Sequence, residues 1–269
     1  MDTLNTLPKL SVIVRTMGRD IELLKKAVNS IFENSYPSIE VIVVFQGTDS
    51  LIFEQVKNNL TAFFPKKKIV FIQNKTNEDE RSKNLNLGMR SAQGEYLAFL
   101  DDDDFVASNH YENLISAIKN NNTVMAFCIS QVVDETGKQK PGLFVGRYID
   151  KVSFYKDNFI TIHSFVVAKN TVKQLGLEFD ERLQLAEDYL FLLPIYMNNS
   201  VSFVKERSCY YRIVSKESQS FTAYETSGKR DQQYKLLKKL KRRYKPSLFQ
   251  KMVVKIKRMC GMVYKVTEN

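Results

Sequence analysis

Between Leu10 and Leu100 the chain states one pattern repeatedly: a short, nearly uninterrupted apolar run, followed by a stretch with apolar residues at helical spacing. The runs are Leu10-Ser-Val-Ile-Val14, Val41-Ile-Val-Val-Phe45, Ile69-Val-Phe-Ile72 and Tyr96-Leu-Ala-Phe-Leu100. Between them come Ile21 to Phe32, with Ile21, Leu24, Val28 and Ile31 on one face, then Leu51, Phe53, Val56, Leu60 and Phe63, then a third stretch from about Ser82 to Ala92. A strand that is apolar on both sides must be covered on both sides. Strands of this kind alternating with amphipathic helices therefore predict an α/β fold: a Rossmann-like, mainly parallel central sheet with helices on both faces and right-handed crossovers. With 269 residues, this is one large domain with an appendage, or at most two.

Ligands of such sheets collect beyond the carboxyl ends of the strands. There, directly after the fourth run, stands Asp101-Asp-Asp-Asp104. Four adjacent carboxylates repel one another, and a mere turn is better served by Asn, Ser or Gly, so a positive partner is expected. In an extended segment Asp101 and Asp103 would share a face while Asp102 points elsewhere. Oxygen-only ligands favour Mg²⁺ or Mn²⁺, whose shells are commonly completed by substrate phosphates. The competing explanation is an acidic loop capping a helix that starts near Ser108. A calcium EF-hand loop is not indicated, because its Gly and its final Glu are absent.

After residue 120 the alternation loosens. Val124 to Val133 and Ser164 to Ala168 predict strands, and Thr171 to Leu175 and Glu187 to Met197 predict helices. Glu187-Asp188 opens the last of these, where carboxylates either cap the helix or form a rigidly aimed general base. Sequence does not separate the two roles.

Charge divides the chain. From Lys229 to Lys265 there are 14 Lys or Arg and one acid, a net +13 within a total of +10, so the remainder carries −3. Apolar residues recur among these basic ones, from Tyr234 to Leu240 and from Phe249 to Val263, with Pro246 dividing two helices. Such helices suit an anionic membrane surface, each nearby Lys or Arg adding on the order of 1 kcal/mol; packing on the body is the alternative. Nucleic acid is not indicated, since no recognisable module is present and aromatics are few. Cys128, Cys209 and Cys260 are far apart in sequence without a C-x-x-C pair, so neither a disulfide framework nor a cysteine zinc site is expected, and a reducing compartment fits. Met1 to Leu10 lacks the features of a signal peptide, and no window approaches the ~20 apolar residues of a membrane span. The expected location is cytoplasmic, or peripheral on the inner membrane face.

Taken together, Ser11-Val-Ile-Val-Arg15-Thr16, the second strand followed by Gly47-Thr48, Asn86-Leu-Gly88, Gly94 through Asp104, and Phe179-Asp-Glu followed by Glu187-Asp188 resemble the family 2 glycosyltransferases of the GT-A fold, over about residues 10 to 215. The resemblance implies inverting transfer of a sugar from a nucleotide-diphosphate sugar, UDP-sugar favoured, to a hydroxyl of a glycan or lipid-linked acceptor. It implies metal binding by Asp103 and Asp101 with Mn²⁺ or Mg²⁺, nucleotide contacts from Asp101 or Asp102, and Asp188 with its neighbour Glu187 as the catalytic carboxylates. Arg15, Thr16 and Arg81 fit donor contacts; Asn86 and Gly88 fit helix placement and packing. Two positions depart from the pattern. Phe45-Gln46 replaces an acidic pair after the second strand, although Gln46 can still read a pyrimidine edge. Val214 stands where Tyr210-Tyr-Arg-Ile-Val-Ser215 would carry a histidine. Neither His110 nor His163 falls at that point; a satisfied structural role is the simpler reading of His163, acceptor-side lining the alternative.

The expected organisation is a catalytic domain over 1–228 and a basic amphipathic helical extension over 229–269. Two rival functions remain. A sugar-phosphate nucleotidyltransferase shares the layered sheet, but Arg15-Thr-Met-Gly-Arg19 lacks its Gly-rich cradle. A non-catalytic membrane- or nucleic-acid-binding protein would keep its partner after Asp103→Ala and lose it without the tail.

Overall fold

Alternate side chains along the first strands enter two different cores, and that alternation builds the molecule. The computed structural model describes residues 7–213 and 228–267. Its first half runs β1 (Leu10–Thr16), α1 (Ile21–Phe32), β2 (Ile39–Gln46), α2 (Ser50–Phe63), β3 (Ile69–Asn74), α3 (Arg81–Ser91) and β4 (Tyr96–Asp101). Ile13, Ile42, Val44, Leu97 and Phe99 face one core, with Leu85 and Met89 of α3. Val12, Val14, Val41, Val43, Ala98 and Leu100 face the other, with Leu24 and Val28 of α1 and Val56 and Leu60 of α2. Helix starts are set locally: the Asp20 carboxylate accepts from Glu22 N and Leu23 N, both at 3.0 Å, a cap worth about 1 kcal/mol.

The second half runs β5 (Phe105–Val106), α4 (His110–Asn121), β6 (Met125–Phe127), β7 (Gln131–Asp134), α5 (Lys151–Lys156), β8 (Phe165–Ala168), α6 (Lys169–Gln174), α7 (Glu187–Asn198), β9 (Val201–Phe203) and β10 (Cys209–Ile213). The main sheet has the order β3-β2-β1-β4-β8-β6-β9. Its first four strands are parallel, while β8 runs antiparallel to both β4 and β6. A small sheet, β5-β10-β7, stands apart from it. The single strand expected over Val124 to Val133 is therefore two: the chain leaves the main sheet after Phe127 and joins the small one at Gln131. Periodicity could not reveal this, because Cys128, Ile129 and Ser130 are as buried as the strands they connect. The same folding brings together two of the cysteines that are far apart in sequence. Cys128 and Cys209, 81 residues apart, have their Sγ atoms 3.5 Å from one another.

Two glycines are explained by close approach. A Cβ on Gly88 would meet Ile13 Cγ2 at 2.4 Å, so α3 lies directly on β1. Asn86 fixes the same helix by accepting from Phe179 N at 2.8 Å and donating to Phe179 O at 3.0 Å. A Cβ on Gly94 would stand 2.6 Å from the Lys9 carbonyl oxygen and 2.7 Å from Ser11 N, backbone atoms of the sheet that cannot rotate away. Gly94→Ala is expected to cost about 2–3 kcal/mol, read as a lower urea midpoint; an unchanged midpoint would show that this corner yields.

The basic segment comprises α8 (Lys229–Lys241), a 3₁₀ turn (Arg242–Tyr244) and α9 (Leu248–Met259). Leu237 and Val266 are buried in the main core, and Leu236, Leu240 and Tyr244 pack against it. Arg258 pairs with Asp150 at 2.6 Å. By contrast Leu248, Phe249, Met252, Ile256, Met259 and, just beyond the helix, Met262 are exposed. Among the described residues no helix is long and apolar enough to cross a membrane.

Candidate active site

The carboxyl ends of β1, β2 and β4 open onto a cleft of about 980 Å³ lined by Arg15, Thr16, Gln46, Arg81 and Asp101 to Asp103. Register explains its central contact. Arg15 and Asp101 are direct partners across the β1–β4 ladder, so both side chains emerge together on the face covered by α7. Arg15 Nε donates to Asp101 Oδ1 at 2.5 Å and its Nη2 to Asp101 Oδ2 at 2.9 Å, while Nη1 donates to Glu187 Oε1 at 2.7 Å. Burial works against the guanidinium charge, but the two carboxylates outweigh it and hold the Arg15 pKa well above its usual value. Burial likewise opposes the Asp101 charge, yet Arg15 keeps its pKa below the usual range.

Beyond Asp101 the strand ends and the chain turns, with Asp104 N reaching Asp101 O at 3.3 Å. The strand alternation expected to pair Asp101 with Asp103 and divert Asp102 therefore does not hold; the turn presents all three to the cleft. Asp102 Oδ2 accepts from Thr16 Oγ1 at 2.5 Å, and burial raises its pKa. Asp103 is pushed up to about 7, first by burial and then by the charges of Asp104, Asp101 and Asp102. Asp104 turns inward instead. Its Oδ1 accepts from Arg212 N at 2.8 Å, and its Oδ2 lies 2.9 Å from His163 Nδ1, out of line for a hydrogen bond. His163 is buried, with its ring stacked near Tyr211, and is not part of the cleft lining.

At the head of α7, Ala186 adopts φ 57°, ψ 32°, a left-handed conformation that costs an alanine about 1–2 kcal/mol and sets the direction of the next two residues. Glu187 turns to Arg15. Asp188 Oδ2 accepts from Asn158 Nδ2 at 3.2 Å and its Oδ1 from Tyr189 N at 2.6 Å. Burial, then the Glu187 charge, pushes the Asp188 pKa up to about 7. Asp188 does not line the cleft itself. The pKa of the Tyr211 phenol is raised by burial and then by the charges of Asp104, Asp101, Asp103 and Asp188.

Gln46 is nearly buried, and its Oε1 accepts from Asn84 Nδ2 at 2.7 Å and from Glu80 N at 3.2 Å. Because a backbone N–H can only donate, the orientation of the amide is fixed and its hydrogen-bonding reach into the cleft is through the NH₂ group. Arg81 donates to both oxygens of Asp79, at 3.0 and 2.6 Å. Sequence reasoning missed Asp79, Asn84, Gln184 and Lys229 in the cleft lining, and Asn158 beside Asp188. Arg212, also in the lining, was visible only as part of Tyr210-Tyr-Arg. Val214 lies outside the described residues.

The acidic turn suits a hard divalent cation at Asp103. It is an oxygen donor open to the cleft, and burial first, then the charges of Asp104, Asp101 and Asp102, leave its carboxylate in need of a positive partner. Asp101 fits less directly, since both its oxygens are engaged by Arg15.

A model of the family described as Glycosyl transferase family 2 matches residues 11–173. A Campylobacter jejuni relative, GalNAc(5)-diNAcBac-PP-undecaprenol beta-1,3-glucosyltransferase, is 28% identical over 223 residues, covering 79% of this chain and 67% of its own. Two solved structures share the fold. The structure of S. aureus TarS 1-349 in complex with UDP-GlcNAc has TM-score 0.62 and 23% identity, covering 79% of this chain and 60% of that one. The mannosyltransferase PcManGT from Pyrobaculum calidifontis, in complex with GDP-Man and Mn²⁺, has TM-score 0.63 and 16% identity, covering 81% and 60%.

Proposed function

The chain belongs to glycosyl transferase family 2, and from that premise we propose that this nucleotide-sugar glycosyltransferase is an inverting enzyme that uses UDP-sugars and a lipid-linked or glycan acceptor. One observation carries the reading: the ion-paired bridge Asp101–Arg15–Glu187 ties the turn bearing Asp103 to the helix head bearing Asp188. The two carboxyls with pKa values near 7 are thus held in a fixed relation. Asp188 accepts the proton of the acceptor hydroxyl, whose oxygen attacks the anomeric carbon opposite the leaving diphosphate, so configuration inverts. Glu187 acts through Arg15 as a positioning residue. Arg15 and Arg81 supply positive charge along the diphosphate, Thr16 holds Asp102 toward the ribose, and the Gln46 NH₂ group donates to a base carbonyl such as that of uracil. Held chiefly by Asp103, with Asp101 close by, Mn²⁺ or Mg²⁺ would offset charge growing on the diphosphate.

UDP in the staphylococcal structure supports the uridine reading, and the Campylobacter acceptor name supports the lipid-linked one. UDP-, GDP- and dTDP-sugars should be compared for Mn²⁺-dependent thermal stabilisation, and the product anomer determined by NMR. The expected result is the largest shift with a UDP-sugar and an inverted product; a GDP preference would reassign Gln46, and a retained anomer would remove Asp188 as base.

The exposed apolar residues of α9 stand among Lys251, Lys255 and Lys257, a pairing that fits an anionic membrane surface and brings the enzyme to a lipid-linked acceptor. The chain should float with vesicles containing phosphatidylglycerol and remain behind with pure phosphatidylcholine. Phe249→Asp with Ile256→Asp should abolish flotation at unchanged melting temperature, and equal flotation of the double variant would reject the surface.

A further inference from the structure

Away from the cleft, three side chains with metal-binding chemistry meet in the interior. His110 opens α4, Cys128 follows β6 of the main sheet, and Cys209 opens β10 of the small sheet, all fully buried. The His110, Cys128 and Cys209 donor atoms lie within 4.8 Å of one another. Neither of the proposed carboxylate roles uses them. Two features of this group fit a bound ion. His110 Nδ1 is engaged by Ser208 Oγ at 2.8 Å, whereas its Nε2 is buried without a hydrogen-bond partner among the described residues. Buried polar atoms without partners are uncommon, and an imidazole held by a hydroxyl at one nitrogen, with the other unpaired and two sulfurs close to the ring, suits a metal-ligating histidine. The second feature is the sulfur separation. Two thiolates each about 2.3 Å from one tetrahedral cation stand roughly 3.8 Å apart, and the observed 3.5 Å is within a few tenths of an ångström of that spacing. A disulfide requires about 2.05 Å.

We propose that His110, Cys128 and Cys209 form a buried site with three protein ligands for a soft divalent cation of the zinc type. Sulfur and imidazole donors select such an ion over Mn²⁺ or Mg²⁺, so the acidic turn and this site would sort cations by hardness. Binding releases the two thiol protons, and the two thiolates neutralise the dication, leaving no net charge in the interior. Ser130 Oγ, 3.3 Å from Cys209 Sγ, is a further polar atom at the site. The ion would clamp α4 and the main sheet to β10, the strand whose Arg212 backbone N–H holds Asp104.

The test is zinc content of the full chain, expressed with zinc and dialysed against EDTA under reducing conditions. About one zinc per chain is expected for wild type and for Asp103→Ala, with loss in Cys209→Ser and in His110→Gln. Protein produced with cobalt should show a thiolate-to-cobalt charge-transfer band, and this wild-type measurement decides the matter if the variants do not fold. A zinc-free wild type without that band, zinc content unchanged in both variants, or a Cys128–Cys209 disulfide in mass spectra overturns the site. Because Asp103→Ala is the control, failure here leaves the transferase reading standing, and failure of that reading leaves this one.

Discussion

Asp188→Asn should turn over about 10²–10⁴-fold more slowly than wild type while binding the nucleotide-sugar donor as before, because only the proton acceptor is removed. The pH profile gives the sharper signature. With the Asp188 carboxyl pushed up to about 7 by burial and by Glu187, the competent ionised form is lost as pH falls through that value. The wild-type rate should therefore drop about tenfold per pH unit below it, and the residual rate of the variant should lack this limb. Stability separates this loss from unfolding. An acid whose folded pKa is raised binds more protons folded than unfolded, between its usual value and about 7, so its contribution improves as pH falls across that window and is least favourable above it. Asp188→Asn should accordingly melt no lower than wild type at pH 8. Turnover within a few-fold of wild type would place the base elsewhere.

Asp103→Ala is expected to eliminate the Mn²⁺-dependent part of donor binding and to lower turnover by at least about 10²-fold. The neighbouring acids cannot readily substitute. Both Asp101 oxygens are taken by Arg15, Asp102 accepts from Thr16, and Asp104 is buried with His163 and the Arg212 backbone. Protons compete with the cation at Asp103, so apparent Mn²⁺ affinity in wild type should strengthen as pH rises through about 7 and level off above it. Calorimetric titration of Mn²⁺ with UDP present at several pH values measures this directly; an Asp103→Ala protein that retains the metal-dependent heat would exclude the residue as the ligand.

Where the sequence was informative, the information was local. The helix expected over Ile21 to Phe32 has those bounds, and the four apolar runs are β1 to β4. Asp101 to Asp104 stood out because four adjacent carboxylates are costly wherever they occur, and Glu187-Asp188 because they open a helix. The failures share a cause in chain crossings. Val124 to Val133 has strand composition throughout, and only the pairing of β7 with β10 shows that it serves two sheets. Cys128 and Cys209 carry no mutual signal across 81 residues, and no periodicity indicates that α8 packs in the core while α9 leaves its apolar face exposed.

Residue order alone determined the parallel α/β core, its family resemblance and the strand end where chemistry should be sought, since apolar periodicity and repulsion between adjacent charges act over a few residues. Tertiary structure decided which carboxylates are free. Arg15 reaches Asp101 because their strands pair in that register and Glu187 because α7 packs there, and burial then raises Asp103 and Asp188 toward neutrality. Register, packing and desolvation depend on atoms brought together from distant parts of the chain, and no local pattern of residues encodes them.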